Sequence, residues 1–274
     1  MTRRRTKVLR PLDWAFPPQP IERELLHVAA DEPADRPPLL FVHGMNHGAW
    51  TFAEHWMPAA ADQGWDCWAV SLRGHGGSDG YDGLRRWKFR DYEHDVMQAI
   101  IEMPRPPVIV GHSMGAQVVR RVLQRYVAPA AVLIAPPGGR VGLGVMTRFA
   151  RRQPATFTRA LAARPVQLDD SDLFGPEMDA VAARRYCNRM TPEAPLAQYE
   201  LMLRPQPVGS RSPLLVVGGG ADRIVPTAEL VRTAKVYGTQ AHVFRGMGHD
   251  LMLEPRWRQP LELILDWAER TTKR

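Results

Sequence analysis

Short apolar runs recur along the chain, each closed by Gly, Pro or Asp and separated from the next by a segment of helix length. They are LLFVHG ending at Gly44, WDCWAVSLRG ending at Gly74, PVIVGHS, AAVLIAPP, PLLVVGGG and AHVFRGMG. Continuous apolar runs fit strands buried on both faces, and their alternation with helical patterns predicts an α/β architecture: a mainly parallel sheet covered by helices on both sides. Phe89 to Met103 carries Tyr92, Val96, Ala99, Ile100 and Met103 at helical spacing, and Pro104 closes it. MGAQVVRRVLQRYV, after Ser113, repeats the pattern with Val118, Val122 and Tyr126 facing inward. Upstream, IERELLHVAA predicts a strand at the sheet edge.

One interval breaks the rhythm. About 75 residues separate AAVLIAPP from PLLVVGGG, far more than a crossover with one helix needs. The expectation is a core built from residues 1–136 and 213–274, interrupted by a helical lid at 137–212. The insertion carries Val145, Met146, Phe149, Phe157 and Leu161, then Met178, Val181, Tyr186 and Met190, then Leu196, Tyr199, Leu201, Met202 and Leu203. Such stripes anchor helices to a core more often than they line a ligand pocket. No internal repeat is visible.

Composition narrows the class without changing the fold. At 274 residues, 45% hydrophobic and 24% charged, the chain has the profile of a globular protein of one main domain. MTRRRTKVLR is followed by PLDWAFPPQP, which lacks the apolar core of a secretory signal, and no run reaches the roughly 18 apolar residues of a membrane span. Cys67 and Cys187 have no partner at metal or redox spacing, so free thiols and a cytoplasmic location are expected. The net charge of +7 comes mostly from scattered arginines and accompanies no nucleic-acid motif. A solvated basic surface is expected, with no nucleic-acid partner. RRRTKVLR and Arg148 to Gln153 are the candidates for weak contact with an anionic membrane surface.

GHSMG, Gly111 to Gly115, fits the pattern G-x-S-x-G. With six serines and 22 glycines, chance would produce it about 0.04 times. A strand immediately before and a helix immediately after are the setting in which such a turn pushes a serine hydroxyl out at the carboxyl end of a sheet. Gly111 and Gly115 leave room for strand and helix to cross. The helix start places the Met114 N–H beside any negative charge developing on a carbonyl attacked by Ser113.

A serine hydroxyl needs a positioned base, usually a histidine held in one tautomer by a carboxylate. Of nine histidines, His249 in FRGMGHDLMLE follows the last apolar run and is preceded by glycines, so it is the candidate base. His112 is expected to pack or bond locally and His43 to order its own loop. His27, His47, His55, His75, His94 and His242 are expected to be structural or surface residues. Asp222 in GGGADRIVP follows PLLVV and is the candidate acid, while Asp250 is expected to point away from its neighbour and Glu254 to lie farther along a helix. APPGGR, after the preceding strand, contains no acid. In VHGMNHGAW, Gly44 permits close backbone approach, and the Met45 N–H is the candidate partner of Met114 N–H in an oxyanion hole.

With these residues in view, the chain resembles the α/β-hydrolase superfamily over nearly its whole length. His43 to Trp50, SLRGHGGSDG from Ser71 to Gly80, GHSMG, GGGADRIVP and GMGH fall in the family's order. HGMNHGAW with GHSMG is similar to the methylesterase and hydroxynitrile lyase branch, and SLRGHGGSDG to bacterial esterases and lysophospholipase-like enzymes. The resemblance implies Ser113 as nucleophile, His249 as base, Asp222 as acid, Met45 and Met114 as oxyanion donors, and no metal or organic cofactor. The expected activity is hydrolysis of a small-molecule carboxylic ester with a medium or long apolar acyl part, with thioester, lactone and carbon-carbon cleavage also open. The alternatives are a hydroxynitrile lyase or cofactor-free perhydrolase on the same site, or a receptor that retains the triad. A serine at the elbow argues against epoxide hydrolases and haloalkane dehalogenases, which place a carboxylate there.

Overall fold

The computed structural model describes residues 18–32, 35–138, 147, 150, 151, 154–162, 164, 168, 170–203 and 209–273. Its strands are β1 (Leu25–Val28), β2 (Leu39–Val42), β3 (Cys67–Val70), β4 (Val108–His112), β5 (Ala131–Ile134), β6 (Leu214–Gly219) and β7 (Ala241–Phe244). They form one sheet in the order β1-β3-β2-β4-β5-β6-β7. β1 pairs antiparallel with β3, and the other neighbours are parallel.

Alternation along each strand explains the two-sided cover. Phe41, Val110, Val132 and Val217 belong to one apolar cluster, while Leu40, Ile109, Leu133 and Val216 belong to another. Successive side chains leave opposite faces of a sheet, so each central strand feeds both clusters and must be apolar throughout. β2, β4, β5 and β6 are buried at every position, unlike the edge strands β1 and β7. The first face is covered by α1 (Trp50–Ala53), α2 (Trp56–Ala61) and α10 (Arg258–Thr272), through Phe52, Trp56 and Ile264. The second is covered by α3 (Phe89–Glu102), α4 (Met114–Val122) and α9 (Thr227–Val236), through Val96, Val118 and Leu230. The IERELLHVAA strand is at the sheet edge, and α3 ends one residue short of Met103, whose extended backbone precedes Pro104.

Between β5 and β6 lie α5 (Pro154–Leu161), α6 (Asp170–Leu173), α7 (Ala180–Cys187) and α8 (Pro195–Leu203). Tyr186 and Met190 pack into the first cluster, whereas Val181 is 77% exposed. Val145, Met146 and Phe149 lie outside the described residues, as do residues 3–10 and most of the Arg148 to Gln153 stretch. Among the described residues no helix is long and apolar enough to cross a membrane. Cys67 and Cys187 are not joined in a disulfide.

The strand order reverses between β2 and β4, and the crevice at such a reversal is where open α/β sheets bind ligands. The chain crosses there at close range. A Cβ at Gly115 would press into the Val42 and His43 carbonyl oxygens, and one at Gly111 would lie 2.8 Å from the Ala116 Cα. Backbone on both sides leaves little freedom to yield, so Gly115→Ala is expected to cost about 3 kcal/mol. Urea unfolding checks this, and a midpoint equal to wild type would contradict it.

Candidate active site

Ser113 joins β4 to α4 with φ 51° and ψ −119°, a conformation that non-glycine residues rarely adopt and that costs on the order of 1–3 kcal/mol. It is over-determined from both sides. The Ser113 N–H donates to the Ile134 carbonyl of β5 at 2.8 Å, and its own carbonyl accepts from Ala116 N–H at 3.0 Å. Although Ser113 occupies the N-cap of α4, its side chain makes no capping hydrogen bond. The hydroxyl is therefore not spent on the helix.

His249 and Asp222 come together from loops that follow β7 and β6. The Asp222 Oδ2 accepts from His249 Nδ1 at 2.8 Å, while its Oδ1 accepts the backbone N–H groups of Ile224 and Val225 at 2.7 and 2.8 Å. With the Nδ1 proton pointed at this carboxylate, the ring presents a lone pair at Nε2, a buried atom with no hydrogen-bond partner among the described residues. The His249 ring is buried, which opposes its charge, but Asp222 foremost, with Asp250 and Asp172, outweighs that penalty and leaves its pKa above the ordinary value. The loop is held in place by Leu173, whose carbonyl accepts from the backbone N–H groups of both His249 and Asp250.

The loop after β2 lies against the serine. A Cβ at Gly44 would come within 3.1 Å of the Ser113 Cβ, so Gly44 brings the backbone leading into Met45 to the edge of the elbow. His43 secures this loop to the one after β3. Its Nε2 accepts from the Leu72 N–H at 2.9 Å, so its Nδ1 carries the proton and donates to the Gly44 carbonyl at 2.8 Å. Burial, with His75 nearby, drives the His43 pKa well down, in keeping with that neutral ring.

Several residues expected to be incidental are part of this framework. His112 does not bond locally: it donates from Nε2 to the His249 carbonyl, 3.1 Å away and 137 residues on in the chain. Burial and the neighbouring His249 ring push its pKa down to about 3. His47 is buried, with Nε2 on Asp250 Oδ2 at 2.9 Å and Nδ1 on the Met45 carbonyl at 2.6 Å. Asp250 bonds to this histidine, while a carboxylate oxygen of it also lies within 4.8 Å of a His249 ring nitrogen. Burial pushes its carboxyl up, yet His47, with His112 and His249, holds it at about 2. Glu254 precedes α10 instead of lying in a helix, and it accepts the Gly248 and Gly175 N–H groups at 2.6 Å each.

SLRGHGGSDG is a bracing loop. Ser71 accepts from Ala49 N–H at 2.8 Å, and Arg73 pairs with Asp95, both fully buried, at 2.7 Å. His75 lies 3.1 Å from Glu193, which also accepts from the Tyr92 hydroxyl at 2.5 Å and Ala194 N–H at 2.8 Å. Burial pushes the Glu193 carboxyl up, but His75 reverses that and holds it below the usual range. Nothing in the local sequence marks Glu193, because its partners lie about a hundred residues upstream. Among the described residues, His112, His249 and Asp250 bring possible metal-ligand atoms within 4.8 Å of one another. The His112 Nε2 donates a proton to the His249 carbonyl there, so in this state it offers no lone pair to a cation.

Solved structures share the fold. An esterase from Thermogutta terrifontis superposes with a TM-score of 0.70 at 17% identity, covering 92% of this chain and 94% of that one. A monoacylglycerol lipase from Paleococcus ferrophilus gives 0.68 at 17% identity over 92% and 100% of the two chains. A bromoperoxidase from Bacillus anthracis gives 0.69 at 14% identity over 92% and 96%. At these identities the likeness concerns architecture alone. Comparison with curated protein sequences returns no match. The sequence itself matches the Alpha/beta hydrolase family over residues 39–262, from the start of β2 into α10. With its elbow, strands β2 to β7 and the loops that carry Asp222 and His249 all inside that span, this chain belongs to the Alpha/beta hydrolase family.

Proposed function

We propose that the protein is a serine hydrolase that cleaves a carboxylic ester with an apolar acyl or alcohol part. The observation that carries the reading is the Asp222–His249 pair, whose Nε2 lone pair is left unpartnered in a loop bonded to His112, the neighbour of the strained Ser113. Ser113 Oγ attacks the ester carbonyl carbon as His249 Nε2 takes its proton. The carbonyl electron pair moves onto oxygen, where the Met45 and Met114 N–H groups stabilise it, each worth about 2.7–4 kcal/mol in the transition state. Collapse expels the alcohol, which leaves with the proton from His249. Water then attacks the acyl-enzyme with His249 again as base, releasing the acid and regenerating Ser113. Residues 137–212 form the lid in this reading, and their Leu, Met, Phe and Tyr content is what favours an apolar substrate.

Labelling by a fluorophosphonate together with turnover of p-nitrophenyl esters of graded acyl length tests the assignment. A wild-type chain that neither labels nor turns over any ester overturns it, and release of cyanide and aldehyde from a cyanohydrin without ester turnover would favour the lyase.

The base must be neutral to accept the serine proton, and Asp222 favours the charged ring. The kcat/KM for a short ester is therefore expected to be low at acid pH and to rise through a midpoint above about 6.5. A flat profile between about pH 5 and 9, which brackets the histidine range, would exclude His249 as the base.

A further inference from the structure

The Met45–Asn46 peptide is held on one side by its near neighbour His47 and faces Glu193, remote in sequence, on the other. On one side its carbonyl accepts from His47 Nδ1 at 2.6 Å, and the other ring nitrogen of His47 lies 2.9 Å from Asp250 Oδ2. Each ring nitrogen of His47 thus faces an oxygen, one on its own loop and one on Asp250, the residue next to His249. On the other side the Asn46 N–H points to Glu193 Oε2 at a long 3.4 Å. Shorter bonds fasten Asn46 more firmly to the segment between β5 and β6. Thr191 N–H donates to the Asn46 carbonyl at 2.9 Å, the Asn46 Nδ2 donates to the Thr191 carbonyl at 2.8 Å, and the Asn46 Oδ1 accepts from Leu168 N–H at 3.1 Å.

Asn46 needs this support because its φ is 66°, in the left-handed region. Met45 and Asn46 are the two central residues of the Gly44–His47 turn, in which the His47 N–H donates to the Gly44 carbonyl at 3.4 Å, so the Met45 N–H is set by the same turn. A displacement of 1 Å at a reacting centre costs about 100-fold in rate, so fixing such a donor has a kinetic consequence out of proportion to the bonds involved.

We propose that Asn46 and His47 are positioning residues for the oxyanion hole. Asn46, tied to Thr191 and Leu168, and His47, tied to Asp250, hold the Met45 N–H at the elbow. Through them the segment between β5 and β6 takes part in transition-state stabilisation without touching substrate. This rests on the acyl-transfer reading above, with Met45 as a donor to the oxyanion.

The test is Asn46→Gly, in which glycine accepts the φ of 66° while the side-chain bonds to Thr191 and Leu168 are lost. Asn46→Asp keeps the acceptor for Leu168 and loses the donor to Thr191. His47→Phe keeps ring volume and loses both polar bonds. For Asn46→Gly the expected result is a fall in kcat of about 10- to 100-fold with KM within about threefold, and Asn46→Asp should fall between it and wild type. Affinity for an alkyl boronic acid should fall by the same factor as kcat. That probe bonds to Ser113 Oγ as the serine proton passes to His249, giving a tetrahedral anionic adduct that needs the oxyanion hole. Should His47→Phe fail to fold because Asp250 is left unpaired, the two Asn46 variants still decide the matter. Wild-type-like kcat and boronate affinity in Asn46→Gly overturn the positioning role while leaving the hydrolase reading intact. A wild-type chain that neither labels with fluorophosphonate nor turns over esters overturns both.

Discussion

Ser113→Ala is expected to lower kcat on a short p-nitrophenyl ester by about 10⁶-fold and to abolish fluorophosphonate labelling. Alanine removes only the hydroxyl, and that hydroxyl caps no helix, so little else is disturbed. The φ of 51° remains strained for alanine as it is for serine, and the Ile134 and Ala116 backbone bonds are retained. Thermal unfolding should accordingly stay close to wild type, which separates lost chemistry from lost fold. A variant that folds normally and keeps turnover within about tenfold of wild type would mean that the covalent step lies elsewhere.

Asp222→Asn is the second large effect, expected at about 10⁴-fold in kcat. The asparagine oxygen can replace Oδ1 as acceptor for Ile224 and Val225, which turns the amide nitrogen toward His249. A donor then faces Nδ1, and the ring proton moves to Nε2, the atom that has to accept from Ser113. The same substitution removes the group that raises the His249 pKa most, so the acidic limb of the rate profile should shift to lower pH while the plateau falls. Steady-state rates across the pH range check both parts together. Loss of rate with an unmoved limb would show that Asp222 is not what holds His249.

The parts of the fold that follow from local chemistry were legible in the chain. VIV before Ser113 and the small residues after it require a buried strand and a helix to meet, and β4 and α4 meet there. Apolar runs predicted the parallel sheet because a strand buried on both faces has to be apolar at consecutive positions. The antiparallel pairing of β1 and the order of the strands were not legible, since either depends on which edges meet. His47, Asp250 and Glu193 escaped for a related reason. A charged residue reads as surface until its partner is known, and these partners lie about 100 to 200 residues away. One local signal did exist: Asn46 precedes His47 and Gly48 in a turn-rich loop, and asparagine tolerates the left-handed conformation it adopts.

The sequence by itself determined an α/β chain with a serine at a strand-to-helix turn, candidate acid and base residues after later strands, and a long segment before β6. Those follow from residue size, periodicity and the backbone freedom of glycine, which act over a few positions. Only the tertiary structure decided that Asp222 meets His249, that Asp250 turns to His47, and that Thr191 and Glu193 reach back to Asn46. Such pairings depend on where the sheet brings distant loops together. Burial there makes an unpartnered charge too costly to keep, so charges that read as surface in the sequence are paired in the folded core.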